Sequence, residues 1–134
     1  MAGKINFTIK VKGKGQHGSM PHLNIDPIVC ISNIVMALQT IISRNINPFA
    51  STVFSVNSIK GGSEENLVVD KAQISIRSLD SKSLKNAQDN MEDLSKSIAK
   101  AYGCKISIKY DDRILIVYNN ENMYEKAQNQ LKKW

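Results

Sequence analysis

Apolar and polar residues alternate from Ile5 to Lys12: Ile5, Phe7, Ile9 and Val11 against Asn6, Thr8, Lys10 and Lys12. A period of two with β-branched members predicts a strand with one buried face. Residues 13–24 are rich in Gly, Ser and Pro and read as a loop. Asp26-Pro27 then supplies a capping carboxylate and a proline suited to the first helical position. Ile28, Ile31, Val35, Leu38 and Ile42 follow at spacings of three and four, which predicts an amphipathic helix over 26–44. A β-rich stretch over 51–59 predicts a second strand, broken by Gly61-Gly62. Ala72, Ile74 and Ile76 alternate with Gln73, Ser75 and Arg77 in a third. Asp80 or Ser81 can cap a second helix whose apolar stripe is Leu84, Ala87, Met91, Leu94, Ile98 and Ala101. Gly103 stands where a left-handed C-terminal cap is expected, and Ile106, Ile108 and Tyr110 alternate in a fourth strand.

The order β-α-β-β-α-β predicts an α+β fold of the split βαβ, ferredoxin-like kind. One apolar face per strand and one stripe per helix place both helices on one face of a four-stranded antiparallel sheet. Residues 1–134 form a single domain, without repeat or linker. The segment 119–134 is weakly helical, with Met123, Ala127 and Leu131 on one side.

Composition narrows the function classes. The apolar fraction of 42% is ordinary for a globular domain and argues against wholesale disorder. A formal charge of +6 suits anionic partners, yet the lysines are scattered and no basic stripe is visible, so nucleic acid is not the expected partner. Cys30 lies within an apolar helical pattern and Cys104 opens a strand; both read as small buried hydrophobes. Without a disulfide framework, a signal peptide or a stretch of membrane-span length, a soluble chain in a reducing cytoplasm is expected.

Gly13-Lys14-Gly15-Gln16-His17-Gly18 fits G-x-G-x-x-G formally. A dinucleotide fingerprint needs a helix directly after the glycines and an acid about 20 residues on, and neither follows here. His17 and His22 are the only histidines, with no carboxylate cluster beside them, so a complete metal site in this chain is not expected. By residue chemistry alone His17 is a solvated loop histidine or a proton donor, Asn66 a turn residue, and Arg77 a surface cation or a carboxylate clamp. A stand-alone ferredoxin-like module for a small ligand or RNA is the alternative, although RNA modules of this shape expose stacking aromatics that these strands lack.

The run Gly13-Lys14-Gly15-Gln16-His17-Gly18-Ser19-Met20-Pro21-His22, continuing into Ile25-Asp26-Pro27-Ile28, resembles the lid-domain signature of M20 metallopeptidases. The branch it most resembles is that of N-acyl-amino-acid amidohydrolases such as hippurate hydrolases. The likeness continues through Gly61-Gly62, Asn66, Asp70 and Ile76-Arg77-Ser78-Leu79-Asp80. It implies a lid and dimerisation domain excised from a larger enzyme, whose catalytic domain would hold two divalent metals (Zn, Mn or Co) and a general-base glutamate. The chain itself would carry no cofactor and be inactive alone. The resemblance further implies a homodimer through the edge strand 51–59 and the helix 26–44, with 119–134 returning to the catalytic domain. His17 would reach the partner subunit's active site and donate to the carbonyl oxygen of an N-acyl amino acid or peptide. Asn66 and Arg77 would hold the substrate carboxylate. Val69 replaces the usual proline, and the run from Asn66 to Arg77 is about two residues short, a shift that keeps Arg77 on the same strand face.

Overall fold

The computed structural model describes residues 4–49, 52–62, 71–78, 81–114 and 120–131. The alternating segment forms β1 (Lys4–Lys12), in which Ile5, Phe7, Ile9 and Val11 all point into the core. The Asp26 carboxylate accepts from the Ile28 amide at 2.7 Å and the Val29 amide at 3.4 Å, starting α1 (Pro27–Thr40) with Pro27 in its first turn. One wide π-type turn, Ile41–Asn45, extends it. β2 (Ser55–Gly61), β3 (Lys71–Ser78), α2 (Ser81–Ala101), β4 (Lys105–Ile114) and α3 (Glu121–Leu131) follow. Gly103, at φ +71°, ends α2 in the left-handed conformation that glycine adopts without penalty.

All pairings are antiparallel, and the sheet order is β2-β3-β1-β4. Mixed helix and antiparallel sheet is the class that the periodicities require. α1 and α2 pack against each other and against the apolar face of β1. Phe7 joins Phe54 and Tyr110, with ring centroids 6.2 and 5.8 Å away, closing one end of this core. Tyr110 also donates a short hydrogen bond to Glu92, which accepts from Lys96 one turn on at 2.7 Å, tying β4 to α2.

Several boundaries differ from the periodic reading. The second strand begins at Ser55 rather than 51 and runs to Gly61, because its pairing with β3 starts only at Ser55↔Arg77. Gly61 pairs with Ala72, and the break falls at Gly62, φ +118°. In α1 the buried line is Cys30, Ile31, Ile34, Leu38 and Ile41, rotated from the expected stripe. In α2, Ala87, Met91, Ser95 and Ala99 are buried at steps of four, whereas Ala101 is exposed. The expectation that no stretch reaches membrane-span length also needs correction: Pro27–Asn45 is long and apolar enough by length and composition. Its apolar inner side is part of the core.

Candidate functional site

β1 ends at Lys12, and the chain leaves the sheet to form the loop that carries His17. The base of this loop is pinned. The Lys14 amide donates to the Ile25 carbonyl at 2.9 Å, and the Ile25 amide returns a bond to the Lys14 carbonyl at 3.0 Å. Gly13 makes this closure possible: a Cβ there would stand 1.9 Å from the Ile25 carbonyl oxygen and 2.9 Å from Pro27 Cδ. No side chain fits, so glycine is required by close approach rather than by φ. The return limb is a 3-10 turn, Pro21–Leu23, whose ends are closed by Leu23 N–H to Met20 O and Asn24 N–H to Pro21 O, each 3.1 Å. Asp26 then caps α1, so the loop is anchored to a strand on one side and to a helix on the other.

His17 lies exposed at the loop tip. The Met20 amide donates to its carbonyl at 2.9 Å, forming a tight turn. That turn aims the Ser19 amide at Nδ1 of the ring, 3.3 Å away, and brings the Ser19 hydroxyl to 2.7 Å from the same nitrogen. An amide N–H can only donate, so Nδ1 is an acceptor. In the neutral imidazole the proton then sits on Nε2, because one ring nitrogen accepts and the other donates. Ser19 was not singled out by sequence reasoning, although a hydroxyl two residues after a loop histidine is the signal for it.

Arg77 occupies the β3 position opposite Asn6 of β1 and Ser55 of β2. Lys71, at the other end of β3, pairs with Lys12, where the His17 loop departs. Six residues of strand separate the two ends, roughly 20 Å. The fold therefore does not bring Arg77 to the end of the sheet from which His17 projects. Asn66 lies outside the described residues. Among the described residues no group of three or more His, Cys, Asp or Glu could hold a metal ion, so the described donors do not fit one.

Cys30 and Cys104 meet under the first turn of α1. The Asp26 carbonyl accepts the Cys30 amide at 3.3 Å and lies 4.0 Å from Cys104 Sγ. Burial pushes the Cys30 thiol up to about 12, and the neighbouring Cys104 adds to the effect. Burial raises Cys104 as well. Both are protonated, buried thiols, the opposite of an activated nucleophile.

The model of the peptidase dimerisation domain matches residues 2–103. N-acetyldiaminopimelate deacetylase of Bacillus subtilis (strain 168) is 37% identical over 127 residues, covering 93% of this chain and 34% of that protein. N-acetyl-L-cysteine deacetylase of the same organism is 35% identical over 112 residues, covering 82% of this chain and 27% of that protein. A crystal structure assigned as an aminohydrolase from methicillin-resistant Staphylococcus aureus superposes with a TM-score of 0.87 at 34% identity, over 98% of this chain and 36% of that one. The chain thus spans about a third of the length of the curated relatives it matches.

Proposed function

Because the chain belongs to the peptidase dimerisation domain family of M20 amidohydrolases, we propose that it is the lid and dimerisation domain of a two-metal enzyme cleaving the amide bond of N-acyl or N-aminoacyl amino acids. The observation that carries this reading is the contact of the Ser19 amide and hydroxyl with His17 Nδ1, which leaves Nε2 to donate, at the tip of a loop with a pinned base. Amide hydrolysis builds negative charge on the carbonyl oxygen. A donor fixed in advance where that charge appears is worth about 3 kcal/mol in the transition state. A donor on a lid acts only when the site closes and excludes water. His17 needs to bind no metal for this. The two divalent metals (Zn, Mn or Co) and the general base belong to a catalytic domain outside this chain. Asn66 and Arg77 would hold the substrate carboxylate, Arg77 by the bidentate geometry a guanidinium offers. Since Arg77 stands roughly 20 Å along β3 from the end that bears the His17 loop, it would serve the other of the dimer's two sites from the one His17 serves.

The strand order β2-β3-β1-β4 supports reading residues 1–134 as one ferredoxin-like domain with α1 and α2 as its helix layer. α3 has no buried residue and is read as part of the segment 119–134 that returns to the catalytic domain. β2 is an edge strand, and its outer backbone groups are open to another chain. Ile59 is exposed along it and Val53 just before it, as are Val29 and Met36 on α1. An open edge flanked by exposed apolar residues supports a homodimer joined through β2 and α1, with His17 serving the partner subunit. The two protonated thiols support a reducing, cytoplasmic setting.

Assaying the full-length protein beside this chain tests the reading. The full-length protein is expected to hydrolyse N-acetyl amino acids in a chelator-sensitive way, and this chain to be inactive with or without added zinc or manganese. Metal-dependent turnover by the chain alone would overturn it. Light scattering should give the mass of a dimer at high micromolar concentration; a monomer there removes the proposed interface.

A further inference from the structure

Register gathers lysines that are scattered in the sequence. Lys12 of β1 stands directly opposite Lys71 of β3 on one side and Lys105 of β4 on the other. The next row on the same face is Lys60, Gln73, Lys10 and Ser107, and the one after it Ser58, Ser75, Thr8 and Lys109. On β1, Thr8, Lys10 and Lys12 alternate with the buried Phe7, Ile9 and Val11, so they lie on the face turned away from the helices. The three rows contain no acid and no aromatic. Like charges directly opposite on neighbouring strands, with Cβ atoms about 5 Å apart, are unfavourable unless an anion offsets them.

At the end of the sheet the lysines border a hollow of about 200 Å³, lined by Lys12, Gly13, Ile25, Gly103 and Lys105. Gly13 and Gly103 present no side chain, Ile25 gives an apolar wall, and the two lysines supply the polar groups. Gly13 and Ile25 are also the two feet of the His17 loop. The four-residue arm from Gly13 to His17 spans at most roughly 14 Å. The hollow is therefore within that reach of His17, so that one extended substrate can meet both.

We propose that this hollow is an anion subsite that takes a second carboxylate of the substrate, so that the preferred substrate is an N-acyl amino acid with an acidic side chain. The proposal rests on the functional reading given above for its substrate, but on geometry alone for its anion. Lysine suits the task as a mobile point charge that follows a flexible carboxylate. The absence of aromatics from these rows counts against single-stranded nucleic acid, whose bases need stacking partners.

The test is a titration of this chain, followed by amide NMR shifts at constant ionic strength, with N-acetyl-L-glutamate, N-acetyl-L-glutamine and inorganic phosphate. N-acetyl-L-glutamate should give saturable shifts at Lys12, Gly13, Gly103 and Lys105, at least fivefold tighter than N-acetyl-L-glutamine. The exposed double substitution Lys12→Gln/Lys105→Gln should abolish them. Shifts that do not saturate, or that spread over all the lysines, overturn the subsite. Phosphate binding as tightly as N-acetyl-L-glutamate overturns its assignment to substrate. In the full-length protein the same double substitution should lower kcat/KM for N-acetyl-L-glutamate about tenfold relative to N-acetyl-L-glutamine, the loss of one charge-assisted hydrogen bond. An unchanged ratio overturns the specificity role. A full-length protein inactive on every N-acyl amino acid would defeat the functional reading instead, and the titration would still decide the subsite.

Discussion

The base and the tip of the His17 loop lie a few residues apart and obey different rules. At the base, the backbone is fixed across the loop, Gly13 by the Ile25 carbonyl and Pro27 and Lys14 by Ile25, while Asp26 caps the helix that follows. At the tip, His17 is exposed, and among the described residues its ring is hydrogen-bonded by Ser19, two residues away. A side chain this exposed adds little to stability. What the tip offers is one ring, held on a pinned foundation. The contrast separates residues that build the loop from the residue that uses it, and substitutions should divide the same way.

The largest effect belongs to the tip and should appear only in catalysis. In the full-length protein His17→Ala is expected to lower kcat by about 10²–10³, with metal content and thermal midpoint unchanged. A kcat within about threefold of the parent would mark His17 as a bland loop residue. Next comes the base. Gly13→Ala forces a Cβ against backbone and should cost about 2–3 kcal/mol in urea unfolding of this chain; a midpoint matching the parent would show that the loop closure relaxes freely. Asp26→Ala removes the cap of α1 and should cost about 1 kcal/mol by the same measurement. The smallest change returns to the tip. Ser19→Ala leaves the Ser19 amide on Nδ1 but deletes the hydroxyl. It should lower kcat about fivefold or less, the worth of one neutral hydrogen bond of about 1 kcal/mol, with no loss of stability. If Ser19→Ala destabilised the fold as much as Asp26→Ala, the division between base and tip would fail.

Local chemistry was legible in the sequence, and arrangement between distant segments was not. Asp26-Pro27 announced a helix start because capping needs only neighbours, and Gly103 announced a helix end for the same reason. The buried face of α1 was harder to read. Nearly every turn offers an apolar residue, so the choice of Cys30, Ile34 and Ile41 was made by packing on β1 and α2. Ser95 is buried in α2, a position outside the expected apolar stripe. The row Lys71, Lys12 and Lys105 could not be seen at all, because register joins residues that lie 34 to 93 positions apart. His17 itself stood out through resemblance to a family. Residue chemistry alone could not choose between a donor and a solvated ring, and the contact of the Ser19 amide with Nδ1 lies in turn geometry that the sequence does not display.

The most direct test of the central claim, that this domain lends His17 to the other subunit, is the activity of a mixed dimer. One full-length subunit carries His17→Ala and the other lacks its metal ligands; each is expected to be inactive as a homodimer. After subunit exchange, activity should return at one site per heterodimer, because the metal-competent site borrows an intact His17 from the metal-dead subunit. Exchange verified by mass, with no activity restored, would contradict the account.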